Sequence, residues 1–377
     1  MQYIEVINLQ LSTTEDNVRY TNSPVKSSNH LLYNEMEITH RTDKSLLTTL
    51  LHTLIRPFAP LLTNPGKPLP AGSPQLHPPS SFRKRCHIAE RKVDDVYIYD
   101  ITPKTPHPDL TKSSNSTKTK STKKLHRIYY IAGGSFCQPP SSSHWSFLAE
   151  LIHKIPNAVI TLLSPPLAPS CPAPTTYPHL LTLYNSLLGT PTPGADASPS
   201  SNDATDETIT IAGDSSGASL ALSLTLTALS KNPTTRAPNN LLLISPVLDL
   251  TFSNPSLPSL EKRDPVLRLR IERQTAISWA GDWALDDPRL SPIYHADDDG
   301  VRVLRDKGVK VWGVTGGWDI LTPDAVGWRE RCRGEGVEGG WLEWEGQMHC
   351  FPVACGFGLR ESGEGVGWIG RRLGGEE

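Results

Sequence analysis

From residue 125 onward, short unbroken apolar runs alternate with longer stretches whose apolar residues recur every three or four positions. Ile128–Ile131, Ala158–Leu163, Thr208–Ala212, Leu241–Ile244, Val309–Val314 and Trp341–Trp344 read as strands. Phe147–Ile155, Tyr177–Leu188 and Ala218–Leu229 read as helices. Strands without polar alternation are buried on both faces, and strands that alternate with helices form a mostly parallel sheet covered on both sides. The expected fold class is therefore α/β.

The first part of the chain is patterned differently. Residues 1–43 are polar and weakly patterned, which predicts a segment that is disordered or outside the core. Leu46, Leu47, Leu50, Leu51, Leu54 and Ile55 recur at helical spacing and predict one apolar stripe docked on the protein. Residues 56–80 are Pro-rich and extended, and Val93–Ile101 alternates around Tyr97 and Tyr99 as an edge strand would. Two polar stretches, 103–124 (Lys-bearing) and 189–207 (acidic), read as solvated insertions. The expected organisation is a leading segment 1–43, a covering segment 44–85, and a catalytic domain 86–377 with those two insertions.

Charge and cysteine usage then remove several function classes. A net charge of −2 over 377 residues gives no electrostatic footprint for nucleic acid. The basic loop carries no aromatics for base stacking. The stretch nearest to a membrane span, Leu46–Leu62, is interrupted by His52, Arg56, Pro57 and Pro60, so no integral membrane association is expected. Six scattered cysteines lack zinc-type spacing and suit a reducing compartment. With no signal-peptide pattern, the expected location is cytoplasmic. Neither a metal nor an organic cofactor is called for, and oligomeric state is left open.

Candidate chemistry centres on Gly213-Asp214-Ser215-Ser216-Gly217. The motif stands between a β-branched strand and an apolar helix, the context of a nucleophile elbow, in which a serine is presented at a sharp turn. A serine hydroxyl needs a base to take its proton, and the base needs an acid to orient it. Downstream, His349 follows the Trp341–Trp344 strand and Asp319 follows Val309–Val314, so both stand at carboxyl ends of parallel strands. His295 is the other histidine beyond Ser215, and Asp324, just after Pro323, reads as a helix-start residue. Gly133, Gly134 and Ser135 follow the Ile128–Ile131 strand in a turn whose amides could face a developing oxyanion. The amide of Ser216 would complete that hole, its hydroxyl standing idle.

Taken together, these motifs resemble those of the hormone-sensitive-lipase-like branch of the α/β-hydrolases, particularly its fungal members. Ala132-Gly133-Gly134-Ser135-Phe136 is similar to that family's H-G-G-G-F, and Gly213–Gly217 to G-D-S-A-G. Leu167-Ala168-Pro169 with Pro172-Ala173-Pro174 is similar to L-A-P-E-x-P-x-P, and Asp287–Pro292 to D-P-x-x-S-P. Asp319-Ile320-Leu321 and His349-Cys350-Phe351 are similar to D-x-L and H-G-F. The likeness covers roughly residues 75–377. Ala132, Ser135 and Cys350 depart from it, standing where the family has His, Gly and Gly.

The resemblance implies an α/β-hydrolase fold with a helical cap built from the N-terminal helix and residues 247–285. Trp279 and Trp283 would then line the pocket or simply pack within the cap. It also implies cofactor-free ester hydrolysis on a small-molecule ester through Ser215, Asp319 and His349. Trp318, Cys350 and Phe351 beside these residues would favour small or medium acyl groups. Two rivals remain on the same scaffold. One is a tailoring or detoxifying hydrolase, lactonase or acyl transferase of a secondary metabolite. The other is a non-catalytic ligand receptor.

Overall fold

The computed structural model describes residues 36–105, 124–189, 207–232, 234–295 and 299–375. Nine strands form one sheet: β1 (Glu37–Arg41), β2 (Cys86–Val93), β3 (Val96–Pro103), β4 (Leu125–Ile131), β5 (Ala158–Ser164), β6 (Glu207–Asp214), β7 (Asn240–Ile244), β8 (Lys310–Gly316) and β9 (Gly339–Trp344). Their order across the sheet is β1-β9-β8-β7-β6-β4-β5-β3-β2. All neighbours run parallel except β5–β3 and β3–β2.

The unbroken apolar runs form the middle of the sheet, and the period-two rule assigns their faces. Leu241 and Leu243 point into one core with Ile211, Val311 and Trp341. Leu242 and Ile244 point into the other with Tyr130, Ala212, Val314 and Trp344. The helix Ser216–Lys231 is buried on every side from Ser216 to Leu229, which is why that stretch carries only apolar and small hydroxyl residues and no charge. On the opposite face lie the helices Ser142–Ile152 and Arg360–Gly374.

Register brings the carboxyl ends of the strands together. Ile131 pairs with Gly213, Asp214 with Ile244, and Gly316 with Trp344. The loops after β4, β6, β8 and β9 therefore leave from one edge of the sheet, where open parallel sheets hold their ligands.

Several expectations for the first hundred residues need correction. Within the segment read as 1–43, Glu37–Arg41 is a strand that pairs parallel with β9; residues 1–35 lie outside the described residues. Its sequence, EITHR, has no apolar period. What holds it is a sheet edge, with Arg41 over the Trp344 ring at 3.9 Å. The stretch read as an edge strand is the second strand, β3, because Cys86–Val93 lies outside it.

The stripe helix forms as Leu46–Ile55, but of the stripe only Leu51 and Ile55 pack inward. Its buried residues are Thr48 and His52, whereas Leu46, Leu47, Leu50 and Leu54 are 56–84% exposed. The reason is a polar anchor. Buried Glu361 accepts from the Thr48 hydroxyl at 2.7 Å and from the Ser45 amide, and this fixes which face turns inward. Of the two polar insertions, residues 106–123 and 190–206 lie outside the described residues. Among the described residues, no helix is long and apolar enough to cross a membrane.

Candidate active site

The turn after β6 places Ser215 at φ 52° and ψ −125°, a conformation that side-chain-bearing residues rarely adopt. Surrounding contacts hold it there. The Ser215 amide donates to the Ile244 carbonyl at 2.9 Å, and its carbonyl accepts from the Ser219 amide at 3.1 Å. Two glycines make room for the turn. A Cβ on Gly213 would lie 2.5 Å from the Gly217 backbone, and one on Gly217 would fall onto the Ile131 carbonyl.

Asp319 and His349 meet. The His349 Nδ1 lies 2.8 Å from Asp319 Oδ2, both side chains being buried, and Asp319 Oδ1 accepts from the Leu321 amide at 2.9 Å. Burial, the largest single influence, works against a charged imidazole here, but the Asp319 carboxylate and the Cys350 sulfur together outweigh it and hold His349 well above its usual value. The His349 Nε2 faces the Cys350 Sγ at 3.3 Å, and among the described residues no hydrogen bond joins it to the Ser215 hydroxyl. Cys350 itself sits at φ 50°, its amide donating to the Ser245 hydroxyl at 3.1 Å. Ser215, His349 and Cys350 share one cavity of about 520 Å³.

Asp264 stands beside this pair. Its carboxylate accepts from the amides of Val266, Leu267 and Ile320 at 2.8–3.0 Å. Burial, reinforced by the neighbouring Asp319, pushes it up to about 7. Asp324 is separate from the site and accepts from the Asn254 side chain at 2.7 Å. His295 lies next to Gly300, away from the cavity wall.

The glycine turn after β4 is held from below by Asp214. Its Oδ1 accepts from the Tyr130 hydroxyl at 2.6 Å and the Gly133 amide at 3.0 Å. The Gly133 amide is thereby committed to a buried carboxylate and is not free to receive an oxyanion. This removes one of the four donors read from the sequence. The amides of Gly134, Ser135 and Ser216 remain. Gly134 adopts φ 144°, and a Cβ there would lie 2.5 Å from the Gln138 carbonyl. The Ser216 hydroxyl is not idle, because it accepts from the Phe136 amide at 3.2 Å and ties the turn to the elbow.

His144 is a site residue that sequence reasoning missed. Its Nδ1 accepts from the Ser141 amide at 3.0 Å, so the Nε2 carries the proton toward Asp214 Oδ2 at 3.2 Å. Burial disfavours the Asp214 charge, but His144 and the two donors on Oδ1 more than compensate, and the carboxyl lies below its usual value. The signal was present as Ser141-x-x-His144, a helix start. A search for a base downstream of the serine passed over it.

The aromatic residues proposed for the pocket lie elsewhere. Trp279 is fully buried and stacks on Phe136 at 4.8 Å, while Trp283 packs on Tyr177 and under Arg289. Trp318 faces His52 and Lys44, and Phe351 packs edge-on against Trp344. None of the four lines the cavity, whose walls include Leu51, Ile55, Leu267, Met348, Val353 and Phe357. Among the described residues no group of three His, Cys, Asp or Glu side chains is placed to hold a metal ion.

Comparison with known proteins agrees with this architecture. Residues 128–353 match the model of a family described as having the alpha/beta hydrolase fold. An esterase of Acinetobacter venetianus is 30% identical over 205 residues, covering 54% of this chain and 60% of that protein. The chain thus spans about three fifths of the length of that curated relative. Two solved structures superimpose with a TM-score of 0.64. One is an esterase/lipase from an uncultured bacterium, 18% identical, with 88% of this chain and 99% of that chain covered. The other is a hormone-sensitive lipase from a metagenome library, 20% identical, with 89% and 100% covered. At such identity these two likenesses speak for the fold alone. With the family model spanning more than half of the sequence, the chain belongs to the α/β-hydrolase-fold family.

Proposed function

We propose that the protein is a carboxylic ester hydrolase of the hormone-sensitive-lipase-like branch, working through an acyl-enzyme. The single observation that carries this reading is a strained serine on a strand–helix elbow sharing one cavity with a buried His349–Asp319 pair. The esterase relative supports it.

In this reading the Ser215 Oγ attacks the ester carbonyl carbon while His349 Nε2 takes its proton. The imidazole must turn from Cys350 Sγ toward Ser215 Oγ, an adjustment that substrate binding can drive. Asp319 holds the tautomer with its proton on Nδ1 and stabilises the imidazolium. The oxyanion is received by the amides of Gly134, Ser135 and Ser216. The C–O bond to the alcohol then breaks, and the alcohol leaves with the proton from Nε2. Water adds to the acyl-enzyme by the same steps and releases the acid and Ser215. A cavity of about 520 Å³ falls within the usual range for small-molecule sites.

The test is labelling with a fluorophosphonate, then turnover of p-nitrophenyl acetate, butyrate, octanoate and palmitate. Labelling at Ser215 that disappears in Ser215→Ala is the expected result. An unlabelled protein that hydrolyses none of the four esters would reverse the proposal.

A further inference from the structure

An apolar ridge stands beside the catalytic cavity. Leu46, Leu47, Leu50 and Leu54 point into water, and Phe58 and Leu61 just beyond the helix are 60–73% exposed. Monomeric soluble proteins rarely leave large apolar side chains bare in such a row, and patches of this kind mark a partner or membrane surface.

The helix pitch sets an opening on either side of the ridge. At 3.6 residues per turn, Leu51 and Ile55 flank the exposed leucines on one side, and Thr49 and Thr53 on the other. Leu51 and Ile55 line the catalytic cavity. Thr49 and Thr53 line a second hollow of about 540 Å³, whose walls include Arg56, Lys262, Arg263 and Arg268. A flat surface laid on the leucines therefore covers both openings.

The positive charge of the second hollow is not neutralised. The Arg268 guanidinium donates to the carbonyls of Asp264, Leu267 and Arg56 at 2.6–3.0 Å, and Arg56 donates to the Lys262 carbonyl. These acceptors carry no charge, and among the described residues none of the four cations has a carboxylate partner. Glu261 lines the adjoining grooves instead, beside Arg270 and Arg273, with its Oε1 accepting from the Leu269 amide. On a chain with a net charge of −2, this face is positive.

An apolar ridge with a positive flank matches the boundary of a bilayer with anionic headgroups. The leucines would enter the acyl boundary while the cations meet the phosphates. A second copy of the chain fits less well, because a two-fold contact would bring this positive face onto itself. We propose that the face docks the protein on an anionic lipid surface, with the mouth of the catalytic cavity turned toward the membrane. Docking is read by binding and stands apart from the ester-hydrolase reading. Where both hold, the substrates are esters that partition into a membrane.

The experiment sediments the full chain with sucrose-loaded vesicles, either phosphatidylcholine alone or equal parts phosphatidylcholine and phosphatidylglycerol. At a salt concentration of about 0.1 M, binding to the mixed vesicles should exceed binding to the neutral ones by about tenfold or more, and about 1 M salt should abolish the difference. The double variant Leu50→Ser/Leu54→Ser should bind both kinds of vesicle about tenfold less or weaker still. Lys262→Glu/Arg263→Glu should lose the preference for the mixed vesicles. All four positions are exposed, so unchanged melting temperatures check that both variants are folded. Binding that both variants retain in full overturns the proposal. So does a chain that binds neither vesicle, the result if residues 1–35 cover the ridge. A lipid-free dimer that Leu50→Ser/Leu54→Ser dissolves would assign the ridge to a second copy and overturn it as well.

Discussion

His144→Ala tests whether the oxyanion turn is held by a buried hydrogen-bond chain. The substitution leaves Asp214 Oδ2 without its imidazole donor while Oδ1 keeps Tyr130 and Gly133. A buried acceptor deprived of its partner costs about 1–3 kcal/mol. The lost half of the Ser141–His144 capping box adds about 0.5–1 kcal/mol. The expected destabilisation is about 2–4 kcal/mol, or a fall in melting temperature of roughly 3–5 °C for a chain of this size. The sign with pH follows from Asp214. Its carboxyl lies below the ordinary 3.8 in the folded protein, so it contributes stability above that value and loses it as pH falls through the lower folded pKa. Without His144, burial is opposed only by the Tyr130 and Gly133 donors, and the carboxyl rises. The deficit of the variant should therefore be full at pH 7 and shrink as pH falls toward 4. With Gly133 less firmly held, kcat should fall by about ten- to a hundredfold, and His144→Gln, whose amide can donate to Asp214, should recover part of it. Thermal melts between pH 4 and 8 and kcat on p-nitrophenyl butyrate read both effects. A melting-temperature deficit equal at pH 4 and pH 7 would refute the role of Asp214, and unchanged kcat would refute the link to the turn.

Ser215→Ala should lower kcat by about 10⁴-fold or more with the fold intact. Ser216→Ala, which removes the acceptor for the Phe136 amide, should cost about 1 kcal/mol of stability and a few-fold in kcat; an inert Ser216→Ala would deny the hydroxyl its part. Asp319→Asn should cripple turnover because Nδ1 of His349 loses its acceptor, whereas Asp324→Asn should mainly lower the melting temperature, and the reverse pattern would exchange their roles. Cys350→Gly should raise thermal stability by about 1 kcal/mol, since φ 50° suits glycine, and should leave activity on small esters equal or higher by freeing Nε2; a large loss would show that the thiol positions the imidazole. Because Asp319 raises His349 above 6.5, kcat/KM should rise with pH through a midpoint above that value as the imidazole loses its proton, and a flat profile between pH 5 and 9 would count against His349 as base.

What the sequence determined by itself is everything that depends on local period and local turns. The apolar runs at Ile128–Ile131 and Leu241–Ile244 mark buried strands because no polar alternation is compatible with two covered faces. The Gly213–Gly217 turn is legible because only glycine tolerates backbone contact at both flanks of Ser215. Chain order then brought Asp319 and His349 forward, and the structure places them 2.8 Å apart.

The tertiary structure decided the matters that rest on pairing between distant residues. Glu37–Arg41 becomes a strand because β9 offers an open edge, which nothing in EITHR announces. Leu46, Leu47, Leu50 and Leu54 face outward because Glu361, more than 300 residues away, claims the Thr48 side of the helix. The Gly133 amide is spent on Asp214, and His144 reaches the site, only because register and helix packing bring them there. A periodicity reports which face of an element is apolar. It cannot report which buried polar group the opposite face must satisfy, and here that requirement set the orientation.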